Sequence, residues 1–319
     1  MKTILLKGGS LSSTYHCTTI GEEFIRKSID RSVNREYGYV RWYSQLKKLQ
    51  RYNTQYPNLF PKILRSGVYN DQSYFDLEYL DGFQDIKTIL TEKNLTEYQI
   101  AAMSEAVWKA FYQLHSIKHK SNLYTGELYF KEEIEQKLND ALKLDSFKQF
   151  YNAGTYSLNG EIVHGMSNYL HELENFFHEL RLEEEENIHG NPTLENIMYS
   201  VKENRVVFID VYEESVIDTK YLDYAQVLQC SRSHYGYIND MGVSVTGTDI
   251  INPNPSIKDF DIFNQHFTSK LPENKKQLID ILEATQFIRM LPFKLLAGDT
   301  DKAKYFYVHA CKLFAKALQ

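Results

Sequence analysis

The chain has 319 residues, 43% of them hydrophobic and 14% aromatic, enough apolar side chain to fill more than one core. Its 42 acidic against 36 basic side chains give a formal charge of −6, which argues against a polyanion-binding surface and so against a nucleic-acid partner. Cys17, Cys230 and Cys311 are odd in number and far apart, so they read as thiols of a reducing, cytoplasmic compartment; no stretch is apolar enough to span a membrane, and Lys7 interrupts the apolar start before a signal-peptide core can form.

In chain order, Thr3 to Lys7 reads as a short strand, Gly8-Gly9-Ser10-Leu11-Ser12-Ser13 as a small-residue turn, and Thr14 to Ile20 as the antiparallel return. Such a turn can lay backbone N–H groups over phosphates, which makes Gly8, Gly9 and Ser10 candidates for a nucleotide flap. Glu22 to Ile29 follows as a third strand. Segment 33–51 carries Tyr39, Val40, Trp42, Tyr43, Leu46 and Leu49 at helical spacing, with Glu36 as its one acidic residue and Arg35, Arg41, Lys47 and Lys48 as its solvated face. Tyr74 to Leu80 alternates as a sheet strand and stops at Asp81-Gly82, a turn signal. Ile86, Ile89 and Leu90, then Ile100, Met103, Val107, Phe111 and Leu114, form helical core stripes.

Helices are predicted around 132–144 and 166–182, joined by turns at Tyr151-Asn152-Ala153-Gly154 and Asn159-Gly160. Near the end, 258–270, 278–291 and 301–318 are helical by periodicity, with Pro292 ending or kinking the second. Arg289, on an otherwise apolar face, reads either as a contact for a substrate anion or, more economically, as half of a buried ion pair.

The clearest chemistry lies at His189-Gly190-Asn191-Pro192-Thr193-Leu194-Glu195-Asn196, followed by Val206-Val207-Phe208-Ile209-Asp210. Phosphoryl transfer needs a metal held by hard oxygen donors, and the Asn196 amide and Asp210 carboxylate are suitable ones. Residues 197–201, a polar 202–204 turn and 205–209 alternate as a hairpin, which puts both donors at adjacent strand ends. Phosphotransfer loops of the form H-x-D-x-x-x-x-N place an Asp to receive the hydroxyl proton. Here His189 and Asn196 keep that spacing, but Asn191 stands where the base belongs. Beyond Asp210, the residues Tyr212, Glu213, Arg232, His234 and Tyr235 make a polar, aromatic set suited to a hydroxyl-rich acceptor.

These motifs, in this order, resemble the aminoglycoside phosphotransferase and choline kinase family of protein-kinase-like small-molecule phosphotransferases. HGNPTLENIM is similar to the family's loop at His189, Gly190 and Asn196 and departs from it at Asn191; Ile209-Asp210-Val211 keeps the metal-binding Asp without the aromatic that usually follows; and Asp223-Tyr224-Ala225 resembles a later D-L-A. The resemblance implies an α+β, two-lobed kinase-like fold, with a β-rich lobe over 1–81 and a mainly helical lobe over 82–319. It implies ATP and Mg²⁺ as cofactors, with Asn196 and Asp210 on the metal. Phe24-Ile25-Arg26-Lys27 takes the place of V-A-I-K, so Lys27 would meet the α- and β-phosphates, with Glu36 as its carboxylate partner. The backbone from Glu78 to Leu80 would meet the adenine edge. The implied activity is transfer of the γ-phosphoryl group to a hydroxyl of a small metabolite, a sugar or glycan precursor before an amino alcohol, since no aromatic cage for choline is evident. Asn191 keeps open a different class, a nucleotide-binding pseudokinase with a regulatory or scaffold role.

Overall fold

The computed structural model of the chain describes residues 2–6, 12–32, 38–121, 124–182, 184–212, 215–252 and 257–319. The flap residues Gly8, Gly9 and Ser10, together with Glu36 and Glu213, lie outside the described residues. The fold is α+β, with 51% helix and 21% strand, an antiparallel sheet in the N-terminal part and helices after it. Two compact units divide the chain, the first gathering 1–89, 106–114 and 189–215 and the second 90–105, 115–188 and 216–319. The first unit therefore draws residues from both sides of position 82.

In the first unit, β1 (Lys2–Leu6), β2 (Ser13–Thr19), β3 (Glu22–Asp30), β4 (Ile63–Tyr69) and β5 (Gln72–Glu78) form one antiparallel sheet in the order β1-β2-β3-β5-β4. Gly21, at φ +93°, supplies the left-handed backbone that the short β2–β3 connection needs. Arg26 pairs with Asp76 in register and Lys27 with Phe75, so the alternation of the pleat sends the two cations to opposite faces. On one face the wholly buried Asp76 accepts from Arg26 Nε at 2.7 Å and Arg65 Nε at 2.7 Å. On the Lys27 face lies the helix α1 (Val40–Gln55), whose Trp42, Leu46, Leu49 and Tyr52 repeat at helical spacing and are buried; the Trp42 ring sits 5.2 Å from Phe75.

A second, three-stranded sheet completes this unit: Arg205–Phe208 pairs with Ile197–Ser200, which pairs with β6 (Gln84–Asp85). The predicted hairpin is therefore present, turned at Asn204, whose φ is +48° and whose side chain accepts from the Tyr199 hydroxyl at 2.8 Å. Phe208 anchors it in a cluster with Phe60, Phe111 and His189, ring centroids 5.0 to 6.0 Å from its own.

The second unit is mainly helical, its longest elements being Lys276–Leu296 and Thr300–Ala317. Pro292 was expected to end or kink the first of these. The helix continues through it to Leu296, so Pro292 does not end it, the fully buried Ile288 and Leu291 keeping that turn packed despite the lost hydrogen bond. Between 151 and 166 the expected turns prove to border strands: Thr155–Leu158 and Glu161–His164 form a hairpin about Asn159-Gly160. That hairpin extends into a four-stranded sheet through the parallel neighbour Asp249–Ile251, which in turn pairs with Ser244–Thr246. The acidic run also has a structural task, Glu184–Glu186 pairing antiparallel with Lys118–Lys120 so that Glu186 falls opposite Lys118. Among the described residues no helix is long and apolar enough to cross a membrane.

Candidate functional site

The loop 189–196 is held by its own polar groups. His189, fully buried, donates from Nε2 to the Ile209 carbonyl at 2.8 Å, while its Nδ1 accepts the Asn191 backbone N–H at 3.1 Å. Those two bonds fix the neutral Nε2–H tautomer. Gly190 is required twice over: its φ is +82°, and an added Cβ would lie 3.0 Å from both Ser215 Oγ and Tyr212 Cβ. Asn196 closes the loop, its Nδ2 donating to the Asn191 carbonyl at 2.9 Å and its own carbonyl accepting from Ile209 N–H at 3.0 Å.

This arrangement puts Asn196 and Asp210 at the same end of the hairpin, one residue before Ile197 and two after Phe208. Asp210 occupies the left-handed region at φ +56°, an uncommon place for a residue with a Cβ and one that concentrates at functional sites. Lys27 donates to Asp210 Oδ1 and, at 3.1 Å, to Gln45 Oε1. Gln45 Nε2 donates to Asp210 Oδ1 at 2.9 Å and to the Val211 carbonyl at 2.8 Å, so its amide has one workable orientation. Burial acts to raise the Asp210 carboxyl, but the Lys27 ammonium and the Gln45 amide more than offset it and hold the group below the ordinary carboxylate value. Lys27 is 13% and Asp210 36% exposed, so the pair is open to a ligand from one side.

The oxygen chemistry suits Mg²⁺. Asn196 Oδ1 and Asp210 Oδ2 accept no hydrogen bond from the described residues, whereas every other polar atom on these two side chains is engaged. An amide and a carboxylate oxygen left over at one strand end are hard donors of the kind this ion takes. Among the described residues no group of three or more His, Cys, Asp and Glu could hold a metal, so a metal here would complete its shell with water and ligand oxygens. The Asn191 side chain likewise makes no protein hydrogen bond among the described residues.

Lys27, His189, Asn191, Asn196 and Asp210 are thus brought together. Gln45 was not anticipated, and two neighbours assigned to the solvated face turn out to have tasks. Arg41 lies over the Tyr212 ring at 5.2 Å and Lys48 donates to the Tyr212 carbonyl at 2.7 Å, so one face of α1, spaced 41, 45, 48, grips 210–212. The signal was a polar amide at position 45, beside the buried stripe of Trp42, Leu46 and Leu49. Glu78 accepts the Lys62 N–H at 2.9 Å on its side chain, and with Leu80 it borders a polar groove also lined by Lys62, Tyr79 and Arg205. Leu80 starts the Asp81-Gly82 turn by accepting from Phe83 N–H at 3.2 Å.

The other acceptor candidates belong to the second unit. Arg232 pairs with Asp280 and Glu283; His234, at φ +51°, packs edge-on to Phe260 at 5.7 Å; Tyr235 packs on Phe287 and Phe306. Burial lowers His234 below the usual histidine value. Arg289 forms the ion pair anticipated as the economical reading, its Nε 2.9 Å from Glu133. No protein-family profile matches the chain, and no curated protein is similar enough to name as a relative.

Proposed function

We propose that the chain is an ATP- and Mg²⁺-dependent phosphotransferase acting on a hydroxyl of a small metabolite, built on a two-lobed kinase-like fold and related to the aminoglycoside phosphotransferases and choline kinases. One observation carries this reading: a strand lysine, Lys27, meets the carboxylate of Asp210, which is held in a left-handed turn beside Asn196 with one oxygen of each left over. Mg²⁺, when bound, would offset the negative charge of the phosphates. Asn196 and Asp210 are the residues to hold it, Lys27 supplies a fixed cation for phosphate oxygens, and His189 sets the loop so that the Asn191 side chain stands free of internal bonds. A carboxamide takes up no proton near neutral pH, so the base contribution of roughly 10²–10⁴-fold is missing from this chain. Positioning and electrostatic stabilisation remain.

The acceptor is proposed to be a sugar or glycan precursor, on the strength of the family resemblance. Three buried cysteines, none of them in a disulfide, agree with a cytoplasmic setting. A second reading, a nucleotide-binding pseudokinase, is favoured by Asn191 itself. Titration calorimetry with ATP, with and without Mg²⁺, on the parent and Asp210→Ala tests what the two readings share, with an expected loss of at least about tenfold in the variant. Binding that ignores both Mg²⁺ and Asp210 overturns both. Asn191→Asp then separates them: an enzyme gains about 10²-fold in ADP release with an acceptor from a panel of sugars, nucleoside-linked sugars and amino alcohols, and a pseudokinase stays inert.

A further inference from the structure

The Lys27–Asp210 contact has a third member, Gln45, that does more than fill space. Its Oε1 accepts from the Lys27 ammonium at 3.1 Å, its Nε2 donates to Asp210 Oδ1 at 2.9 Å, and the same nitrogen is tied to the Val211 carbonyl at 2.8 Å. The amide therefore fixes the lysine, the carboxylate and the backbone on which the carboxylate sits. Both of its ends are used, in the only orientation that satisfies all three bonds. It comes from α1, whose Trp42, Leu46 and Leu49 are packed in the core, so its position is set by a rigid element.

The charge balance matters more than the bonds. A carboxylate at this position would give the lysine an anion of its own. An amide has no charge to give, so the Lys27 ammonium takes its counter-charge from Asp210, and the trio sums to zero. A cation approaching Asp210 must then compete with Lys27 for Oδ1 or settle on Oδ2.

We propose that Gln45 is a positioning residue of the metal and phosphate site, a neutral clamp that keeps Lys27 on Asp210 and so holds divalent-cation affinity low until a ligand with phosphate oxygens draws the ammonium away. This rests on the phosphotransferase reading above and adds to it a cause for ordered loading: the cation binds weakly alone and tightly with nucleotide. The clamp acts through Asp210 and Lys27 and touches no ligand itself.

The test uses Mn²⁺ as a spectroscopic probe of the full-length, nucleotide-free chain, counted by electron paramagnetic resonance, in the parent, Gln45→Glu and Gln45→Leu. Gln45→Glu adds a negative charge beside Asp210 and offers Lys27 a second partner, so Mn²⁺ should bind roughly tenfold more tightly. Gln45→Leu releases the clamp without adding charge, so Lys27 is held less firmly on Asp210 and Mn²⁺ should bind about threefold more tightly. A merely structural glutamine would move thermal unfolding in both variants and leave Mn²⁺ affinity in Gln45→Leu unchanged or weaker. Should Gln45→Leu not fold, Gln45→Glu decides alone, because tightening cannot come from a damaged fold. A parent that binds Mn²⁺ with Gln45→Glu equal or weaker overturns the clamp and leaves the phosphotransferase reading standing. If neither the parent nor Gln45→Glu binds Mn²⁺, the metal site fails and the clamp with it.

Discussion

Two clusters of charge, one in each unit, are built from similar residues and differ in what they leave over. In the second unit Arg232 faces Asp280 and Glu283, and Glu283 is fully buried with both oxygens taken, one by Arg232 and one by the Ser233 hydroxyl at 2.6 Å. Burial still pushes its carboxyl up, the attraction of Arg232 and the Ser233 bond pulling it only part of the way back. In the first unit Lys27, Gln45 and Asp210 share a single carboxylate oxygen and leave the other open, on a residue whose backbone is itself strained. A cluster that exhausts its lone pairs internally is cross-bracing; one that keeps an oxygen spare, at a strand end and partly exposed, is fitted to something outside the chain. Residue type does not separate the two. Hydrogen-bond bookkeeping does.

The largest expected effect tests the brace. Arg232→Met strands Glu283 as an uncompensated buried charge, which should cost about 3–5 kcal/mol of stability, read as a lower midpoint in urea unfolding followed by far-UV circular dichroism. A loss under about 1 kcal/mol would mean that the cluster is as dispensable as a surface pair, and the contrast would dissolve. A middle-sized effect is expected at the loop. Gly190→Ala must hold an alanine at φ +82° with its Cβ 3.0 Å from Tyr212 and Ser215, at a cost of about 2 kcal/mol. Gly21→Ala, at φ +93° but facing open space, should cost about half as much. Equal losses would remove the argument that the loop is packed against Tyr212 and Ser215.

The smallest effect concerns acid. Asp210 has a folded-state value below the ordinary one, so its contribution is present above about pH 4, the unfolded carboxylate value, and is lost as pH falls through the lower folded value. Because the side chain is about a third exposed, the effect is modest. Stability of the parent and Asp210→Asn, compared between pH 3 and 6, should differ at the upper end and converge at the lower. A gap that widens on acidification would reverse the sign of the Lys27–Asp210 interaction.

Local pattern made much of the first unit legible. The hairpin 197–208 announces itself by β-branched alternation around a polar turn, β2 and β3 by short-range pairing, and β5 by its own alternation, all within reach of a reader moving along the chain. Asn196 and Asp210 were readable because the hairpin carries both. Gln45 was not, since an amide on a helix looks solvated until the partner it faces, 165 residues later, is in place. The same holds for the sheet of the second unit. Its parallel pair joins 155–158 to 249–251, and neither strand is long enough to stand out before the other is known. Pro292 does not end its helix, a strong local rule yielding there to the packing of Ile288 and Leu291.

The interrupted make-up of the first unit also sets a timetable. Lys27 and Asp210 are 183 residues apart in a chain that leaves the ribosome from its N-terminus. At about 5–20 residues per second, the N-terminal sheet waits on the order of 10–40 seconds for the carboxylate that its lysine will meet. During that interval β1 is an outer strand of the sheet, with all five of its residues exposed even in the finished fold. The hazard of edge-to-edge association therefore begins early in synthesis and does not end with it. Production at low temperature, which slows elongation, lengthens the interval before Asp210 reaches Lys27.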